Sequence, residues 1–322
     1  MFRSVGGVVF AIALAAVMPA VLAAQQIART PDGHPDLQGY WNNDSFTPVE
    51  RSPELGDKEF FTPAEAAAYF KQRMEGLNNQ PETDIHYDNA LWQAETYTRH
   101  PNLRTSVIVE PRNGRLPPLT AEAQRLQAAR VEAARRSGPA DSAQSRTLGE
   151  RCISWGNVGP PMLPPTYNAN FQILEAPGVV VLRHEMIHDT RIVYVDNRPH
   201  LGPGVRQLAG DSRGRWEGDT LIVDTTNFTN LTNFRGSPQT TRQDIFASDA
   251  LHVVERLTPV DANTIQYRFT VEDPKTWTQP WSGELLLRRW KGPIYEYACH
   301  EGNYGLANIL RAARAAEQRS AR

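Results

Sequence analysis

The feature that most narrows the fold is a change of texture after residue 167. From there the chain is a series of short segments rich in Val, Ile, Leu, Tyr and Phe, at 171–175, 179–184, 191–195, 221–225, 251–257, 264–271, 284–289 and 294–299. Between them stand Pro177-Gly178, Asp196-Asn197, Glu217-Gly218-Asp219, Asp261-Ala262-Asn263 and Lys291-Gly292-Pro293, all of them turn chemistry. Ile265, Tyr267, Phe269 and Val271 alternate with Gln266, Arg268, Thr270 and Glu272, the period of two that gives a strand one apolar and one polar face. No helix-period segment interrupts the series, which excludes βαβ crossovers and predicts antiparallel pairing. About eight hairpin-linked strands suffice to close an up-and-down barrel.

The residues ahead of this series read as an arm. A turn-rich stretch at 30–37 leads into a short strand at Gly39-Tyr40-Trp41. Thr62-Pro63-Ala64-Glu65 opens a helix that runs to about Leu77, with Thr62 as N-cap, Pro63 in the first turn and Glu65 completing a capping box. A strand is expected at 105–109, and Thr120 caps an Ala-rich helix ending near Gly138. A last helix follows Asn303, with Leu306, Ile309, Leu310 and Ala313 on one face. The expected fold is therefore mainly β. Residues 151–322 form an antiparallel, lipocalin-like barrel with strands between 166 and 300 and a closing C-terminal helix, in one structural unit with the arm at 25–150.

Residues 1–24 carry Arg3, an apolar run and the small residues Ala20, Ala23 and Ala24, the pattern of a cleaved secretory signal peptide. The expected location is periplasmic or secreted. The formal net charge is -2, or about -3 once Arg3 is removed, and no basic run remains, which argues against nucleic acid as a partner. No second hydrophobic run is long enough for stable membrane insertion. Nothing in the sequence fixes the oligomeric state. The two cysteines, Cys152 and Cys299, form an even pair in an exported chain, where a disulfide is the ordinary outcome. A catalytic thiol beside His300 is the alternative, but neighbouring residues on a strand point to opposite faces.

His184-Glu185-Met186-Ile187-His188 spells the H-E-x-x-H of zinc proteases. That chemistry needs both histidines on one helix, a turn apart, with the glutamate aimed at metal-bound water. The flanks Val179-Val180-Val181 and Ile192-Val193-Tyr194 propose strand instead. On a continuous strand the histidines would stand about 13 Å apart, at about 3.3 Å per residue. Zinc–nitrogen bonds are near 2 Å, so one ion could not hold both. A zinc hydrolase is accordingly the least favoured reading, and neither metal nor cofactor is expected. Yet His184, Glu185, His188, Asp189 and Arg191 concentrate ionisable side chains between apolar strands. They face solvent on an open sheet, or a ligand if they line a barrel. His300 and Glu301, where the last expected strand meets a helix N-terminus, are a second acid/base candidate set. Tyr194, Tyr267, Trp277, Trp281 and Tyr295 are the aromatic candidates for a ligand pocket. The stretch at 210–220 lacks the lysine of a phosphate loop and reads as a hairpin turn under Trp216.

The stretches at 35–41, 150–153, 210–228 (with GDSRGRWEGDTLIVDTTNF) and 295–304 (YEYACHEGNY) together resemble a large, functionally uncharacterised family of exported bacterial proteins. Gly39-x-Trp41 and the strand series are similar to lipocalin-like proteins. Neither resemblance implies catalytic residues. A barrel container suits a hydrophobic small molecule, which it would either transform or carry. The transforming version is a lyase, isomerase, cyclase or hydratase working by cofactor-free acid/base catalysis; the alternative is a non-catalytic carrier.

Overall fold

The computed structural model describes residues 27–78, 103–136, 138, 140–155, 158–164, 168–231 and 247–321; the expected signal segment, 1–24, lies outside them. Among the described residues ten strands make one sheet: β1 (Gly39–Asn42), β2 (Ile108–Glu110), β3 (Asn170–Ala176), β4 (Val179–His184), β5 (Thr190–Tyr194), β6 (Asp211–Glu217), β7 (Thr220–Thr226), β8 (His252–Asp261), β9 (Thr264–Glu272) and β10 (Trp281–Arg289). Nine of them close a ring in the order β1-β3-β4-β5-β6-β7-β8-β9-β10, and β10 returns onto β1 through Trp41 opposite Arg289. β2 pairs with the start of the same β10 edge, Ser282 opposite Glu110. The barrel is mainly β, as expected. The arm supplies the strand that closes it, because β1 bridges β3 and β10.

Three local expectations change. β5 and β6 pair in parallel, Val193 opposite Ser212, since the connection 195–210 carries the chain back to the starting end without a helix. The 210–220 stretch is not one turn but strand β6, turning only at Gly218 before β7. Small inward residues concealed it: Gly214 lies so close to β5 that a Cβ would stand 2.8 Å from Val193 Cγ1. Residues 294–299 form no strand. The edge of β10 that would have received them is occupied by β1 and β2.

The helices start where the sequence places them. In α1 (Pro63–Asn78) Glu65 N donates to Thr62 Oγ1 at 3.3 Å, and Thr62 N donates back to Glu65 Oε2 at 2.8 Å. α2 (Ala121–Arg136) begins on Thr120, whose hydroxyl donates to the Lys275 carbonyl, so the helix is fastened to the β9–β10 connection. Asn303 caps α3 (Tyr304–Ser320) by accepting from Leu306 N.

Inward residues of every strand meet in one core. Trp41, Phe171, Tyr267, Phe269, Trp281 and Leu287 are all 2 % exposed or less. Each such side chain contributes roughly 1.5–3 kcal/mol by leaving water. Gly283 makes room for the Phe269 ring, whose Cζ would lie 2.2 Å from an added Cβ. Among the described residues, the inward side chains pack against one another.

Strand directions place the β4–β5 turn, the start of β3 and the end of β1 at one rim, whereas β10 runs away from it. Residues 290–298 therefore return along the barrel as a strap. Trp290 N donates to the Tyr40 carbonyl at one end of its path, and Tyr295 N donates to Glu185 Oε2 at the rim. A disulfide joins Cys152 to Cys299 with 5.8 Å between their Cα atoms, tying the strap to the segment ahead of β3.

Candidate functional site

β4 ends at His184, and the chain reverses through Glu185 and a single 3-10 turn at Met186–His188 before β5. Ile187 (φ 59°) and His188 (φ 45°) both take left-handed backbone. For β-branched Ile187 that conformation is an outlier, costing of order 1–2 kcal/mol, and such strain gathers at functional sites. Burial of Met186 and Ile187 against Val158 and the disulfide region holds the turn in place. His184 N to the Asp189 carbonyl, at 2.8 Å, closes it.

The strap crosses this turn and leaves a cleft of about 260 Å³ between them, lined by Arg183, His184, His188, Glu301 and residues 294–298. Two stretches that stand a hundred residues apart in the sequence thus share one site. The His188 ring is fixed by the strap: its Nδ1 lies 2.9 Å from the Tyr297 carbonyl oxygen. A carbonyl only accepts, so Nδ1 carries the proton, and in the neutral ring Nε2 keeps its lone pair. The neighbouring Asp189 carboxyl is raised by burial, with the Thr190 backbone N–H and then Arg191 opposing.

His184 differs. Its ring stacks on Phe171 at 5.2 Å, and its Nε2 is buried without a partner among the described residues. Burial first, and then the Arg191 charge, pulls its pKa down to about 3, so the ring is neutral and too weak a base to take a proton near pH 7. It can still donate or accept a hydrogen bond.

Arg191 does not reach the cleft lining. It points into the barrel, where its guanidinium donates to both oxygens of Glu255 at 2.5 and 2.9 Å. Glu255 is fully buried on the inner face of β8 and accepts a third bond, 2.6 Å, from the Tyr267 hydroxyl. That hydroxyl in turn accepts from Met162 N. Burial works against the Arg191 charge, but Glu255 more than offsets it, and burial with the neighbouring Glu255 pushes the Tyr267 hydroxyl well above 10. This is a closed internal network.

The expected residues therefore divide. His184, His188, Tyr295 and Glu301 come together at the cleft, and Glu185 holds the strap above it. Tyr267, Trp277 and Trp281 belong to the core rather than to a pocket. Tyr194 lies under Arg198 on the outer surface. His300 is exposed beside the cleft but does not line it. The H-E-x-x-H stretch spans a strand end and a reversal, not a helix. Sequence reading missed Arg183, an outward β4 residue whose spacing gives no sign of the strap above it.

A second polar chain lies on the outside of β6–β8. His200, from the 195–210 connection, has one ring nitrogen 3.0 Å from Asp211 and the other 3.0 Å from Asp224, which also meets His252 at 3.1 Å. Its ring nitrogens are already bonded, and it fastens the connection to the barrel.

Fold and site define a closed mixed β-barrel with a polar, histidine-lined cleft at its rim. Compared with known proteins, the chain matches no family model, no curated protein and no solved structure.

Proposed function

We propose that the protein is an exported, cofactor-independent enzyme that moves a proton on a small molecule held in the rim cleft, in chemistry of the lyase, isomerase, cyclase or hydratase type. His188 is the acid/base. The observation that carries this reading is the bond from His188 Nδ1 to the Tyr297 carbonyl. It sets the tautomer and leaves Nε2 to exchange a proton with a bound molecule, as a general base requires. His184 takes the complementary part of a neutral hydrogen-bonding group, as its burial dictates. The Cys152–Cys299 disulfide fits an oxidising compartment outside the cytoplasm, and among the described residues no helix is long and apolar enough to cross a membrane. A carrier of apolar molecules would need open space in the barrel, and the packed interior favours the rim instead.

The test is untargeted. A small-molecule extract is incubated with the wild-type protein and with His188→Gln, and its components are followed by mass spectrometry. At least one should be converted by wild type and about 10²–10⁴ times more slowly by the variant, the usual share of a positioned acid or base. Equal conversion by both proteins, or ligand recovered unchanged from wild type, refutes the assignment.

A further inference from the structure

The arginines described between β4 and β9 follow one pattern. Arg191 pairs with Glu255, Arg198 with Asp196, Arg206 with Asp249, Arg213 with Asp211, Arg215 and Arg256 with Glu217, and Arg268 with Glu284. Arg183 is the exception: among the described residues it has no carboxylate partner, and it borders the cleft. Two cleft carboxylates, Glu296 and Glu301, are likewise unpaired among the described residues. The same cleft is bordered by the buried His184 ring, whose Nε2 has no partner. Along this span the fold pairs its other described arginines with carboxylates. Here it leaves charges of both signs for something else to meet.

We infer that the cleft binds a small zwitterion, a molecule of amino-acid size carrying both a carboxylate and an ammonium group. The inference rests on the reading of this cleft as the functional site and adds the class of molecule. The planar guanidinium of Arg183 matches a carboxylate through two parallel hydrogen bonds. Glu296 and Glu301 receive the ammonium group. A plain anion would leave both carboxylates unmatched and a plain amine would leave Arg183 unmatched, whereas a zwitterion presents a group of each sign to its opposite. The volume of about 260 Å³ sets the scale. At about 30 Å³ per water it holds roughly nine waters, room enough for a free amino acid.

The experiment uses calorimetry on the full mature chain with each of the twenty standard amino acids. Every binder is compared with its decarboxylated amine and its deaminated acid. At least one amino acid should bind about tenfold more tightly than either counterpart. Arg183→Gln should bring it down to the level of the amine, and Glu296→Gln with Glu301→Gln to that of the acid. No binding by any amino acid, or equal binding by a singly charged counterpart, overturns the inference. His188→Gln separates the two claims. A zwitterion that binds wild type and this variant alike but is never converted refutes the catalytic assignment and upholds this one. Conversion of a molecule lacking one of the two charges does the reverse.

Discussion

Glu255 and Arg191 face each other where no water reaches, and each is tolerable only because of the other. Removing one charge leaves the partner buried and uncompensated, which costs about 3–5 kcal/mol. Glu255→Gln should therefore lower the chemical-denaturation midpoint far more than Tyr267→Phe, which gives up hydrogen bonds worth about 1–2 kcal/mol. Similar losses in the two variants would mean that the pair is not desolvated as described. His184 makes a separate prediction. Its folded pKa of about 3 lies below its ordinary 6.5, so on acidification the unfolded chain takes up a proton that the folded chain refuses. Its contribution is complete above pH 6.5 and is lost between pH 6.5 and 3, at up to about 1.4 kcal/mol per pH unit. Glu175, raised to about 7 by burial, opposes it over part of this range, because its stabilising proton is lost as pH rises from 4.5 to 7. The measurement is accordingly a difference. Wild type should lose more stability than His184→Phe between pH 6.5 and 4.5, and parallel losses would show that His184 is not held neutral.

The disulfide acts on an element, the strap at 290–298 and the residues that follow it to Asn303. Apart from Cys152–Cys299, the bonds that hold it among the described residues include Trp290 to Tyr40, Tyr295 to Glu185, His188 to Tyr297, and Asn303 to the Glu150 carbonyl and Cys152 Sγ. Reduction should cost about 2–5 kcal/mol. It should also speed amide exchange at 294–299 while leaving β7–β9 protected, as hydrogen exchange followed by mass spectrometry can resolve. Uniform loss of protection would mean that the disulfide supports the whole barrel rather than the strap. The elements also show what a sequence can disclose. Thr62 and Glu65, Thr120, and Asn303 announce their helices because caps are local chemistry. β6 was hidden because Ser212 and Gly214 face inward where bulky apolar residues are the usual signal. The 294–299 segment has the composition of a strand, but pairing is a long-range matter, and the edge it needed was already filled.

At the scale of the molecule, the strand count and the closure of the barrel were largely legible, because alternating faces and turn residues repeat along the chain. The contents of the barrel were not. Tyr267, Trp277 and Trp281 suit a pocket wall and a packed core equally well in sequence, and only the assembled ring decides between them. The cleft was half legible: the density of ionisable residues at 184–191 marked one wall, and the second wall is brought there by the return of the strap. The proposed function accordingly puts its ligand in the rim cleft rather than in the barrel interior. X-ray screening of crystals soaked in a library of small polar and apolar molecules tests this most directly. Bound molecules should cluster between Arg183, His188 and Glu301, with the interior around Tyr267 and Phe269 unchanged. Molecules found inside the barrel, with the cleft empty throughout the library, would contradict the account.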